Sequence, residues 1–450
     1  MAGGTWTAQN KVRPGAYINV KSKKLMNANA STVGVVTMPL VLNFGPEKQI
    51  IEITSGTDLA PLGYGLNDRP LKLLAEALKR AHKVLLYRIG GGAKASVSTK
   101  ITGKPEDQEP KAGGTGDVKV TAKYSGTRGN AIHVTVKPNV NNDNQFDVET
   151  YLDATLMDTQ TVKNVADLVD NALVSFEGTT VLAETSVTLK GGTDTKAAAL
   201  DYANYFDQAK LYDFNTMALP VEDEAIKRAG AAFMKRMREE EGKKAQLVVS
   251  GLAADNEAVI NVKNGVILEN GDTITATEAT AYVAGACASA GVDESLTYKE
   301  YAGSVDVTPR YTDTEIQDAL QKGEFLFTEK RGVAVIEQDI NSLVTFTAEK
   351  NREFSKNRVL RVLDDIANNT KIAFEDNFIG KVQNTVDGRE LFKANRIAYF
   401  ERLQNLGAIE NFSGDDIEVL PGEAKDSIVV NVEVQPTDAL EKLYMTVEVK

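Results

Sequence analysis

Cysteine, histidine and tryptophan are nearly missing from this 450-residue chain. It has one Cys, two His and one Trp. A single thiol, Cys287, cannot close an internal disulfide, which points to a reducing compartment. No charged residue lies within five positions of it, so it reads as a packed, inert thiol. His82 and His133 stand alone, whereas metal and triad chemistry needs several convergent partners. Cys-x-x-Cys, His-Glu-x-x-His and Gly-x-Ser-x-Gly are all missing. No apolar run approaches the about 18 residues of a membrane span, and the Met1–Trp6 opening has no signal-peptide pattern. Positive charge is outnumbered, with 51 Lys and Arg against 63 Asp and Glu. The net charge is -12, and phosphate backbones need a basic surface, so nucleic acid is excluded as a partner. These absences leave no catalytic, cofactor or metal site to expect, and synthesis in a cytoplasm.

What is present is a globular composition, 42% hydrophobic and 25% charged. A 450-residue chain exceeds one ordinary core, so two to four domains are expected. The fold class reads as α+β or α/β multidomain: a mixed-sheet core, a mostly β insertion, a helical-plus-strand C-terminal domain and extended terminal arms. Residues 1–31 form an N-terminal arm. Residues 32–92 and 195–340 form a discontinuous α/β core. Residues 93–194 form the β-rich insertion, 341–426 the C-terminal domain and 427–450 the C-terminal arm strands.

Within the core, strands are expected at Val33–Val41, Ile50–Ile53, Lys83–Ile89, Thr216–Leu219 and Ala245–Ser250. Helices are expected after Pro70, from Glu222 to Glu241 and from Thr277 to Ala290. A capping box at Thr312–Glu315 opens another. Val259–Leu268 reads as a hairpin across Asn264-Gly265, and a second hairpin turns around Lys330-Arg331-Gly332. The insertion carries alternating runs and one helix near Val162–Phe176. Later helices span Ser355–Asn369, capped by Ser355, and about Arg389–Leu406, stopped by Gly407.

Two glycine- or oxygen-rich segments read as loops. Gly90-Gly91-Gly92 lacks the Walker spacing and precedes no helix, so it is a junction and not a phosphate loop. Asn139–Asp147 lacks the glycine and terminal glutamate of a calcium loop. From Glu349 to Arg361 five cations face two anions. Lys356, Arg358 and Arg361 are read either as part of a solvated face or as a docking surface for an acidic partner.

The ends of the sequence alternate. Ala16, Tyr17, Ile18 and Val20 follow the Pro14-Gly15 turn. Ile428, Val430, Val432 and Val434 form one C-terminal pattern, and Leu443, Met445, Val447 and Val449 another. A strand there offers unpaired N–H and C=O groups, covered either at home or by a neighbour through strand addition. Lys21–Ala30 and Gly422–Asp426 are expected to be flexible beside them.

The order of several short motifs resembles the tail sheath proteins of contractile phage tails and R-type bacteriocins. They are Arg13-Pro14-Gly15-Ala16-Tyr17, Phe44-Gly45-Pro46, Leu62-Gly63 and Gly126-Thr127-Arg128-Gly129-Asn130. They continue with Asp339–Leu343, Phe354–Arg361, Phe378-Ile379-Gly380 and Leu406–Ile409. Phe44 stands where the family often has Trp, and Leu62 where it usually has Phe. The resemblance implies a structural, non-enzymatic subunit that polymerises with itself as stacked hexameric rings around a tail tube. It implies strand exchange between neighbours, and contraction triggered by the baseplate that drives the tube through a target envelope. It implies tube, baseplate and tail-terminator partners, no membrane insertion of its own, and residence in a virion or phage-like particle tail assembled in a bacterial host cytoplasm. The basic residues Lys356, Arg358 and Arg361 would face the tube. Another component of the same machine, or a nucleotide-binding α/β enzyme, are the alternatives.

Overall fold

The structure is a computed structural model that describes residues 2–4, 15–17, 34–100, 117–178 and 184–449. By backbone proximity the chain divides into two compact units, 32–367 with 436–450, and 1–31 with 368–435.

The larger unit is built on β3 (Val35–Val41), β4 (Ile50–Ile53), β5 (Lys83–Ile89), β13 (Thr216–Ala218), β14 (Gln246–Ser250), β15 (Val259–Val262) and β19 (Glu324–Phe325). They form one seven-stranded sheet in the order β19-β15-β14-β13-β3-β5-β4, parallel except for the antiparallel edge pair β4–β5. The strands are hydrophobic on both faces because both are covered. Val36, Met38, Leu40, Val84 and Leu86 pack on one side with α1 (Lys72–Leu78) and α4 (Ala276–Ser289). Val35, Leu85, Tyr87, Ile89 and Met217 pack on the other with α2 (Ala199–Ala209) and α3 (Glu224–Glu239). The alanines of α4 allow close helix approach: a Cβ on Gly285 would lie 2.4 Å from the Ala77 carbonyl oxygen of α1.

The expected hairpin at 259–268 is not formed. β15 stays in the parallel sheet, while β16 (Gly265–Leu268) joins β17 (Thr273–Ile274) and β18 (Ser304–Thr308) in a separate sheet, order β17-β16-β18. Asn264 is buried, accepts from Phe327 N–H at 2.8 Å and donates to Phe327 C=O at 2.9 Å. Its amide stands in for a strand partner instead of shaping a tight turn. The second hairpin is present, as β20 (Phe327–Lys330) and β21 (Val333–Ile336). α5 (Asp313–Gln321) opens on the Thr312–Glu315 capping box.

Residues 96–188 supply two antiparallel sheets around a common core. β6 (Ser96–Lys100), β7 (Asp117–Ala122) and β11 (Val174–Glu177) form one. β8 (Ile132–Asn139), β9 (Asn142–Leu152), β10 (Thr155–Val162) and β12 (Thr185–Thr188) form the other. Val118, Val120, Val134, Val136, Val148 and Val174 meet between them. The helix expected near Val162–Phe176 is replaced by the end of β10, a single 3-10 turn at Val165–Asp167, and β11. Asn171 Oδ1 accepts the N–H groups of Leu173 and Val174. Such local side-chain bonds draw the backbone away from helix.

α6 (Asn357–Asn377) begins in the larger unit and ends in the smaller one. Ser355 does not cap it; the Ser355 hydroxyl donates to Arg352 C=O in the preceding turn. The smaller unit continues with α7 (Val386–Asn405), capped by Thr385 and stopped at Gly407 with φ 70°. β22 (Ile409–Glu410) pairs with β25 (Gln435–Pro436), and β23 (Ile417–Pro421) with β24 (Ile428–Val432). The same unit includes β1 (Ala2–Gly4) and β2 (Gly15–Tyr17), which run parallel.

Candidate assembly surfaces

Buried polar groups mark the joints inside the larger unit. Arg88, at the end of β5, has a fully buried side chain. It donates to Leu42 C=O at 3.0 Å, Gly45 C=O at 2.5 Å and Ser125 C=O at 3.0 Å. Glu47 pairs with Arg88 at 3.3 Å and also accepts from Ser125 N–H and Oγ–H. Phe44 lies in the core of the β-rich layers, edge-on to Tyr124 at 5.4 Å. The segments that enter and leave those layers are bonded to each other, Thr195 N–H to Gly91 C=O and Thr193 N–H to Ala93 C=O. The glycine run is therefore a paired junction.

A second joint holds the start of α6. Asn357 is fully buried, donating to Asp339 Oδ1 at 3.0 Å and accepting from Gln246 Nε2 at 2.9 Å. Two turns on, Asp364 receives both Arg238 Nη atoms, at 2.6 and 2.7 Å. The Asp339–Leu343 motif is thus structural: Asn341 Nδ2 donates to Phe354 C=O, and Ser342 Oγ to Asn256 C=O.

The three basic residues proved to be engaged within the chain. The Lys356 side chain is mostly buried and pairs with Glu441 and, at 3.6 Å, with Asp438. Arg358 is buried and donates to Asp293 C=O. Arg361 donates to Glu294 C=O at 2.7 Å and reaches Asp339 at 3.4 Å. A solvated face is ruled out for them, because groups from other segments of the larger unit close over their charges. Sequence spacing could not show this, since the partners come from distant segments: backbone carbonyls at 293–294 and carboxylates at 339, 438 and 441.

Ala16 and Tyr17 lie in β2, whereas Ile18, Val20 and Lys21–Ala30 lie outside the described residues. Ile428, Val430 and Val432 lie in β24, which among the described residues pairs with β23 alone. Val434 follows that strand. Gly422–Asp426, expected to be flexible, is the closed turn between them. Gly422 N–H donates to Ser427 C=O, and Ser427 Oγ to Ala424 C=O. Leu443, Met445, Val447 and Val449 form no strand and are 84%, 73%, 72% and 94% exposed.

Four family descriptions match the chain in succession. They are a tail sheath protein Gp18 domain III N-terminal region at 34–89, a phage tail sheath beta-sandwich domain at 90–194, a phage tail sheath central domain at 195–342 and a phage tail sheath C-terminal domain at 349–450. The crystal structure of the sheath tail protein from Desulfitobacterium hafniense is 43% identical, with a TM-score of 0.82, over 96% of this chain and 99% of that one. The chain belongs to the phage tail sheath family. It is also 39% identical to the phage-like element PBSX protein XkdK of Bacillus subtilis, over all of both chains. The fold extends to the anti-feeding prophage helical sheath in its contracted state, at 13% identity and a TM-score of 0.55, over 97% and 99% of the chains. This sheath chain is a structural tail protein of a contractile phage or phage-like particle. Among the described residues no helix is long and apolar enough to cross a membrane, and no cluster of His, Cys, Asp and Glu could hold a metal ion.

Proposed function

We propose that this sheath chain polymerises as stacked hexameric rings around a tail tube, linked by strand addition, and that it contracts when the baseplate triggers it. The supporting observation is the row Leu443, Met445, Val447 and Val449, apolar, alternating and exposed. Water-exposed apolar side chains in strand alternation, with no ladder of their own, suit the edge of a neighbouring sheet. The β23–β24 pair, two-stranded among the described residues, is a fitting acceptor. Each added backbone bond contributes only about 1 kcal/mol net, so many are needed to keep subunits joined while they move.

In this reading 93–194 faces outward and 341–426 lies against the tube. The basic residues at the start of α6 would then act on the tube through α6's position, because their side chains are engaged internally. Arg389, Lys393, Arg396 and Arg402 of α7 are the second candidates for that contact, although Arg396 is buried and donates to Asn369 Oδ1 at 3.0 Å. No nucleotide is consumed, the free energy being stored in the assembled lattice.

The test is removal of 443–450. Negative-stain microscopy should find folded monomers with an unchanged melting temperature and no rings or tubes. Polymers that persist without those residues would sink the strand-addition reading.

A further inference from the structure

The segment just before the exposed row is held unusually well for a surface tail. Glu441 carries an 11% exposed side chain and three partners from three separate loops. Thr297 Oγ1, in the stretch after α4, donates to Oε1 at 2.9 Å. Gln338 Nε2, just after β21, donates to Oε2 at 2.6 Å. Lys356 Nζ, immediately before α6, pairs with the same carboxylate and with Asp438. The socket is itself braced: Thr297 Oγ1 accepts from Asp339 N–H at 3.0 Å, and Lys356 bridges to Ile340 through its backbone. Beside it lies a cleft of about 500 Å³, lined among others by Gln317, Leu320, Arg352 and Leu440.

We propose that the Thr297–Gln338–Lys356 socket is a latch that holds Glu441 of its own chain and so fixes the point from which 443–449 departs to pair with a second copy. The inference rests on the strand-addition reading of that segment. Without the latch the arm would be tethered at the end of β25. Residues 437–442, after the β22–β25 pairing, would then add up to about 20 Å of slack. A donor strand searching that volume has a lower effective concentration at its acceptor and loses more backbone entropy on pairing. The latch also ties the return of the chain to its exit, since Lys356 is the last residue before α6. The chain passes along α6 into the smaller unit, and at Glu441 it returns to the same side chain.

Charge exchange tests the latch. All variants carry Asp438→Asn, so that a glutamate at position 356 meets no second carboxylate. Lys356→Glu and Glu441→Lys, each alone, should raise the protein concentration needed for polymers about tenfold or more, the effect of losing one charged, hydrogen-bonded contact. The double variant should recover. A one-to-one mixture of the two single variants should not. Recovery in the mixture would overturn the proposal, because a neighbour's residue 441 would then be filling the socket. Unchanged assembly of the single variants, or no recovery in the double, would overturn it too. Backbone 15N relaxation on the monomers separates this from strand addition: amides of 438–442 should gain fast motion in each single variant whether or not polymers form. Unchanged order there would refute the latch even if removing 443–450 abolished polymers.

Discussion

Arg88 shows how much one side chain can organise. Its guanidinium is buried against three backbone carbonyls and Glu47, which itself holds the Ser125 turn. Burial alone pulls its pKa below the ordinary arginine value, and Glu47 opposes that shift. Arg88→Met should therefore cost about 3–5 kcal/mol, because it strands buried carbonyls and a carboxylate without a partner. Urea unfolding should report that loss. A change under 1 kcal/mol would show that water replaces the guanidinium. Cys287 behaves oppositely. Burial pushes its thiol well above the ordinary value. Ellman's reagent should leave the native chain unmodified over hours and titrate one thiol in denaturant. Rapid native labelling would mean that α4 opens readily.

At the scale of elements, close approach and buried anchors decide where helices sit. Gly285→Val would drive a branched side chain into the α1 backbone, so α1 and α4 must separate. We expect about 2–4 kcal/mol of destabilisation, from overpacking together with the lost contacts, read as a lower melting temperature. Retained stability would mean that α1 shifts freely. The start of α6 is a comparable case. An Asn357 amide locked between Asp339 and Gln246 replaces a solvent-facing serine cap. The sequence spacing around Ser355 satisfies a local rule, but a buried partner 18 residues upstream offers the stronger bond.

For the whole molecule, acid should be the informative stress. Burial alone would raise the pKa of Glu257, Glu278, Glu294 and Glu441, but Lys350, Lys72, Lys299 and Lys356 and nearby hydrogen bonds outweigh it and hold all four below the ordinary range. A depressed folded pKa stabilises the fold above the unfolded value of about 4.3. That stabilisation is lost as pH falls through the folded values. Asp364 works the other way, because burial pushes its carboxyl up, and it offsets part of the loss. The urea midpoint should therefore be flat from about pH 6 to 8 and fall steeply below about pH 4. A midpoint that holds steady at pH 3 would show that these pairs contribute little.

Most of the core was legible in the chain. Runs buried on both faces at Val35–Val41 and Lys83–Ile89, the alanine-rich α4, the Thr312 box and the Gly407 stop all follow from short-range chemistry. Hydrophobic period, capping and backbone conformation are properties of a few neighbouring residues, so the sequence carries them openly. Partner choice is not local. That Asn264 would substitute for a strand, that Asn171 would unwind a helix-like stretch, and that Lys356 would grip Glu441 depended on which distant groups folding brought within about 3 Å. A basic stretch in the sequence states only how much charge is present. Whether that charge meets solvent, a neighbour or its own carboxylates is decided by the tertiary structure, because burial and pairing set the energy of a charge.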